Sequence, residues 1–430
     1  MSDIRKQLNR LRGDESESSA GTSSIRERLD RLYRRSNQQK KHFPEEQVVR
    51  AQKRLEELVP GEYVNTHHGD IYRSRHRYDL DDRHGNCRIK EFLQLDSISL
   101  ARLGRVEDAE LELRNALFLD TEASGLSGGT GTYAFMIGLG YFHEKGFVVD
   151  QLFVENYAKE EGMLDLLRSY LEGASLLISF NGKSFDVNLL QTRFLMHGQE
   201  PPFTALPHLD LLHPCRNLWD LTLANCRLQT LERDVLQFTR EHDTPGEEVP
   251  GIYFEYLRTG DPTEITGVFQ HNLLDIVSLL SLTIMLEQNF QGVRSIPDED
   301  GLTNFSRGRM HERQGNAEAA LHYYSLALEE NLSSTRRYKA LGCMAGIHKR
   351  NGSWEEAISL WEDQIESSPT YVLEPYVELA KYYEHQQRAY KRAIGYVKRA
   401  LESLPSHKQD ERDLLEYRMD RLIRKLQGDR

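Results

Sequence analysis

The sequence predicts an α/β domain on a mixed sheet, followed by an all-α array of helical hairpins. Two observations predict the first part. Short apolar runs bounded by turn residues read as buried strands, and one of them ends in a pair of alternating acids at Asp120 and Glu122. The runs then follow the order three meandering strands, helix, strand, helix, which mixes antiparallel and parallel pairing. The second part rests on apolar residues that recur from Leu302 onward at offsets of about one helical hairpin. A length of 430 residues allows two or three domains, and 28% charged with 39% hydrophobic residues is the balance of a soluble globular chain.

Residues 1–45 read as a mobile basic arm with short amphipathic helices. Ile4, Leu8 and Leu11 form a helical stripe that is echoed by Ile25, Leu29 and Leu32, with linker composition between them from Asp14 to Gly21. Such an arm is either a docking or nucleic-acid segment or simply a solvated terminus. Residues 46–110 read as a lead-in segment packed on the domain that follows. Pro60-Gly61 and His68-Gly69 mark turns, while Tyr63, Val64, Ile71 and Tyr72 suggest short strands.

The central domain is expected over residues 111–292. Ala116 to Leu119 is an apolar run that leads into Asp120, Thr121 and Glu122. Strand alternation puts the two acids on one face, where they repel unless a cation lies between them. A divalent metal takes such hard oxygen ligands; an exposed strand end is the plain alternative. Gly125 to Thr132 reads as a flexible loop, and two apolar runs, Tyr133–Phe142 and Phe147–Val154, flank a turn at His143–Gly146 as a hairpin. Leu164, Leu167 and Leu171 mark a helix, Leu176–Phe180 a buried strand, and Val187, Leu190, Phe194 and Leu195 another helix. Gly182-Lys183-Ser184 imitates a phosphate loop, but Leu177 stands where that loop needs its first glycine. Asp186 at the start of the next helix can reach over the sheet end, or merely cap an Asn-Gly turn. His271 and Asp275 are four apart and share a helix face.

The four cysteines form no C-x-x-C pair, which argues against a disulfide framework and for a reducing compartment. The first residues lack the apolar core of a secretory signal, and no apolar run reads as long enough to span a bilayer. A cytoplasmic protein with no membrane partner is expected. The net charge of -12 disfavours coating nucleic acid electrostatically, although a local basic segment can still bind it.

Residues 300–430 are read as the helical array, set off by a polar boundary at Asp298–Gly301. Ala320, Tyr324 and Ala327 recur as Ala357, Trp361 and Gln364, then as Ala393, Val397 and Ala400, with Pro369 and Pro405 closing the second and third units. Residues 302–405 thereby resemble tetratricopeptide repeats. Leu415, Met419, Leu422 and Leu426 lie on one stripe of a last helix that caps them.

Taken together, Asp120, Glu122, Asp186 and Asp275 resemble the four acids of the DEDD 3′–5′ exonuclease superfamily, which has a ribonuclease H-like fold. The wording around them is similar to one bacterial branch, the YprB-like proteins. The matching segments are Leu119–Glu122 with Gly128–Phe135, Phe180–Asp186, Leu206–Pro214, and His271-Asn272 before Asp275. His271 combines the four-residue spacing of the tyrosine subclass with the residue of the histidine subclass. The resemblance implies two divalent metal ions, Mg or Mn, held by Asp120, Glu122, Asp186 and Asp275. It implies His271 as a base or water-orienting group, and Thr121, Asn181, Lys183 and Phe185 as substrate contacts, with Asp210 in support. The implied substrate is single-stranded nucleic acid, with a protein partner on the helical repeats. The alternative is a weak or inactive nuclease-like module that acts as an interaction scaffold.

Overall fold

A computed structural model describes residues 53–106, 111–125, 131–296, 301–330, 332–368 and 370–428. The expected N-terminal arm, Leu126–Thr130 of the glycine loop, Asp298–Asp300 of the boundary and Pro369 lie outside the described residues. From Lys53 onward the chain forms one compact unit.

Its centre is a seven-stranded sheet built from β1 (Glu62–Thr66), β2 (Gly69–Asp79), β5 (Ala116–Ala123), β6 (Ala134–His143), β7 (Gly146–Phe153), β8 (Leu176–Ser179) and β9 (His208–Asp210). A separate small hairpin holds β3 (Arg83–His84) and β4 (Cys87–Arg88). The sheet order is β1-β2-β7-β6-β5-β8-β9. Pairing is antiparallel from β1 to β5 and parallel from β5 through β8 to β9. The acid-bearing strand therefore stands where the sheet changes direction. Residues read as a lead-in supply β1 and β2 of this same sheet, and β2 pairs with β7 over eight positions from Tyr72↔Phe153 to Asp79↔Gly146.

Alternation along β5 divides two cores. Ala116 and Phe118 enter the core shared with α2 (Ser97–Gly104), α5 (Leu212–Trp219), α6 (Leu228–Asp234) and most of α8 (Ile265–Phe290). Leu117 and Leu119 enter the opposite core, with α3 (Glu160–Leu171), α4 (Asp186–Met196) and α7 (Val249–Thr259). A short α1 (Leu55–Leu58) precedes β1, and its Leu55 joins this second core. Helix α8 is largely apolar. Contrary to the sequence expectation, it is long and apolar enough to cross a bilayer, but 78% of that window is buried inside the protein. Several of its polar residues, among them Asn272, Ser278 and Asn289, are buried with it. Glycines in β6 let it come this close. A Cβ on Gly138 would lie 2.3 Å from Asn272 Oδ1, and one on Gly140 would lie 2.6 Å from Ile276 Cγ2.

Among the described residues, seven further helices follow: α9 (Gly301–Arg313), α10 (Ala317–Glu329), α11 (Ser334–Arg350), α12 (Trp354–Ser367), α13 (Glu374–His385), α14 (Tyr390–Ser403) and α15 (Gln409–Gln427). All nine recurring positions, from Ala320 to Ala400, are buried. The first helix is less separable than its boundary composition suggests. Met310 belongs to the α8 core, Arg307 Nε donates to the Asn289 carbonyl at 2.7 Å, and the His311 ring stacks on Phe290 with centroids 4.2 Å apart.

Glu384 of α13 ties down the capping helix. Its carboxylate is fully buried and accepts from Arg421 at 2.7 Å, Lys425 at 2.9 Å and Arg418 at 3.3 Å. Burial alone would raise its pKa, but the bonds from Lys425 and Arg421 outweigh that effect, and the pKa falls below the ordinary value of 4.5. A lowered folded-state pKa gives stability that is present above the unfolded pKa and lost as pH falls through the folded one. Glu384→Gln is therefore expected to loosen α15 at pH 7 and to match the parent at pH values below the folded-state pKa. Hydrogen exchange of α15 amides at both pH values checks this; equal protection at pH 7 would sink it.

Candidate active site

The site forms where β5 outruns its parallel neighbour. β8 pairs only with Ala116, Leu117 and Phe118, so the β5 edge beyond them faces no strand on that side. Asp186, the first residue of α4, fills the gap. Its Oδ1 accepts from the Thr121 backbone N–H at 3.1 Å and also from the Thr121 hydroxyl. The turn that delivers Asp186 is held from below by the buried Asp210 at the end of β9. Asp210 accepts from the amides of Asn181 at 2.7 Å, Lys183 at 3.1 Å and Leu212 at 3.1 Å. Asn181 adopts a left-handed φ of 64°, a conformation that asparagine tolerates better than most residues.

Asp120 and Glu122 approach α8 from the sheet. Asp120 lies opposite Gly138, and through the space this glycine leaves, Asn272 Nδ2 donates to Asp120 Oδ2 at 2.8 Å. Gln151 Nε2 holds Asn272 in turn, donating to its Oδ1 at 3.0 Å. One turn along α8, Asp275 accepts from Arg240, whose fork also grips the buried Glu232, with Nε to Oε2 at 2.9 Å. His271 directs Nδ1 at Asp243 Oδ1, 2.6 Å away, and its Nε2 lies 3.6 Å from Asp275 Oδ2. A contact of 2.6 Å to a carboxylate makes Nδ1 the donor, with Nε2 turned toward Asp275.

The acids feel one another strongly. Burial raises Asp120 well above the usual carboxylate range, and repulsion from Asp275, Glu122 and Asp186 adds to it. Glu122 is raised in the same way, by burial and then by Asp275 and Asp186. Asp186 is pushed up to about 6 by burial, against the Thr121 bonds that stabilise its charge. Among the described residues, no three His, Cys, Asp or Glu side chains are placed to hold an ion as they stand. The hydrogen bonds account for this: Asp186 is turned onto Thr121, Asp275 onto Arg240 and Asp120 onto Asn272. The donor chemistry nevertheless suits a hard divalent cation, because several desolvated carboxylates face one guanidinium and repel each other.

A cavity of about 540 Å³ opens beside these residues, lined by Thr121, Glu122, Asp186, the exposed Phe185 and, across it, Val249 and Pro250 of α7. Lys183 lies instead on a second cavity beyond the turn, and Asn181 lines neither. Of the four expected substrate contacts, Thr121 and Phe185 thus stand at the first cavity. Sequence reasoning missed Arg240, Glu232, Asp243 and Gln151. It also passed over Gly138-Leu139-Gly140, whose alternating glycines in an apolar strand signal a close approach on one face.

Comparison with known proteins agrees with this architecture. Residues 117–287 match the RNase H superfamily. The fold is ribonuclease H-like. The chain is 28% identical over 355 residues to the uncharacterized protein YprB of Bacillus subtilis (strain 168), covering 81% of this chain and 84% of YprB. It is also similar to the family B DNA polymerase of the archaeon Pyrobaculum calidifontis, at 13% identity and a TM-score of 0.33, over 55% of this chain and 29% of the polymerase. The ribonuclease H-like match points to nuclease-type chemistry on nucleic acid, and nucleases of this kind generally use divalent metals.

Proposed function

We propose that this protein is a metal-dependent 3′–5′ exonuclease of the DEDD type that acts on single-stranded DNA or RNA. The observation that carries the reading is the convergence of Asp120, Glu122, Asp186 and Asp275 at the end of β5, with mutual repulsion and the Arg240 guanidinium on Asp275. Two divalent ions, Mg or Mn, would relieve that repulsion and stabilise the attacking and leaving oxygens. Asp120, Glu122 and Asp275 would hold one ion, and Asp120 with Asp186 the other. Phe185 offers an exposed ring on which a terminal base can stack, and Thr121 keeps the Asp186 carboxylate aimed at the gap. His271 would accept the proton of the attacking water through Nε2, on the Asp275 side of the ring, while Asp243 holds the ring through Nδ1. Helices α9–α15 read as tetratricopeptide-like repeats with a surface for a partner protein.

A time course on 3′- and 5′-labelled single strands with Mg or Mn tests this reading. Asp120→Asn is expected to abolish cleavage while melting at or above the parental temperature without metal, because one source of repulsion is gone. Cleavage by that variant at the parental rate would refute the carboxylate mechanism. His271→Ala is expected to slow single turnover by about 10²–10⁴-fold, and extra metal should not restore the rate. Rescue by metal would make His271 a ligand instead, and an unchanged rate would remove it from the chemistry.

A further inference from the structure

The second cavity, of about 470 Å³, lies on the far side of the Asn181–Asp186 turn. Arg105, Lys183, His213 and Arg216 line it, together with Asn217. Arg105, Lys183, His213 and Arg216 are all exposed. Its one carboxylate, Asp210, is buried and already accepts from three backbone amides. Arg313 of α9 extends the cavity wall, with Nη1 donating to Asn217 Oδ1 at 3.0 Å. One turn earlier on α9, Arg309 lies over the Phe305 ring, which it shares with Arg336 of α11. Among the described residues, none of Arg105, Lys183, Arg216, Arg309, Arg313 or Arg336 forms an ion pair with a carboxylate. This concentration of unneutralised cations stands out in a chain whose formal charge is -12. It begins three residues before Asp186 and continues onto the helical array.

We infer that this cavity and the arginines beyond it form a groove for the phosphate backbone of a single-stranded nucleic acid, leading from the Asp186 turn onto α9. The inference rests on the proposed nuclease reading and gives that site its substrate path. Unpaired arginines suit it chemically, because a planar guanidinium binds phosphate oxygens in pairs and does not titrate. A row of cations that tracks a backbone without contacting base edges binds strands with little regard to sequence. The acidic residues Glu355, Glu356, Glu362 and Glu366 belong to α12, further along the array.

The test is fluorescence anisotropy of the full chain with labelled 20-nucleotide oligo-dT and oligo-U, in calcium and in EDTA, across a salt series. Arg105→Ala/Arg216→Ala/Arg313→Ala should weaken binding at least about tenfold and flatten the slope of log K against log salt by about 2, or about 0.7 per lost phosphate contact. Arg105→Glu/Arg216→Glu, which leaves Arg313 and its Asn217 bond in place, should weaken binding as well. Lys391→Ala/Lys398→Ala/Arg424→Ala, at the far end of the array, should bind as the parent does. Parental affinity in the first two variants would overturn the groove, as would an equal loss in the third. Tighter parental binding to phosphatidylserine vesicles than to oligonucleotide at the same salt would also overturn it. Cleavage by the parent with manganese is scored separately. Binding lost in the variants without parental cleavage keeps the groove and removes the nuclease reading. Parental cleavage with binding intact in the variants does the reverse.

Discussion

Arg240→Met is expected to destabilise the metal-free protein by about 3–5 kcal/mol, the usual cost of leaving buried charges without their partner. The Arg240 side chain is 5% exposed, and Glu232 beneath it is 1% exposed. Removing the guanidinium strands Glu232 and Asp275 together, with Asp243 close by. Glu232 has further ties, since it accepts from Ser278, which His84 contacts at 2.8 Å, so the loss reaches into the core of α8. Urea unfolding with chelator measures the effect. Glu232→Gln in the same chain should recover part of it, because one of the two unpaired charges is then gone. Manganese should raise the melting temperature of Arg240→Met more than that of the parent, because a cation bound at Asp275 stabilises only the folded state. A parental unfolding midpoint would mean that Arg240 is not the countercharge of this site.

Gly138→Val is expected to cost about 3 kcal/mol, at the upper end for overpacking a close-packed core, and to slow cleavage by at least about 10²-fold. Its Cβ alone would meet Asn272 Oδ1 at 2.3 Å and Nδ2 at 2.8 Å. The strand cannot yield easily, since β6 is hydrogen-bonded on both sides, to β5 and β7. Helix α8 must retreat instead, and it carries His271 and Asp275 with it. Gly138→Ala should show a smaller loss, and Asn272→Ala should relieve part of that loss by making room. A double-mutant cycle of these two changes, read by denaturation midpoint, reports the coupling. Additive costs would place the strain elsewhere.

How far the sequence could be read depended on how each residue is positioned. Asp120 and Glu122 were legible because strand alternation is local. The Asn181–Asp186 turn was legible because Asn-Gly punctuates, and the nine recurring positions of the array because helical spacing repeats. All of these groups lie on regular elements or tight turns. Arg240 and Asp243 follow α6 in an irregular stretch, where no period links them to Asp275, 35 and 32 residues further on. Their place is decided by tertiary folding. The extent of the sheet was misjudged for a related reason. β2 pairs with β7 across some 70 residues of chain and brings β1 with it, and short apolar runs do not announce a partner that distant.

Asp275 lies near the middle of helix α8 and Phe290 ends it, fifteen residues further on, or about 22 Å at 1.5 Å per residue. At the far end it is clasped by Arg307 and His311 of α9. Its C-terminal half is thus a lever with the chemistry at one end and the array at the other. A load that shifts α9 is delivered to Asp275 along a rod that has no hinge residue between them. By reciprocity, whatever settles Asp275 in one position must bias the posture of the array by the same free energy.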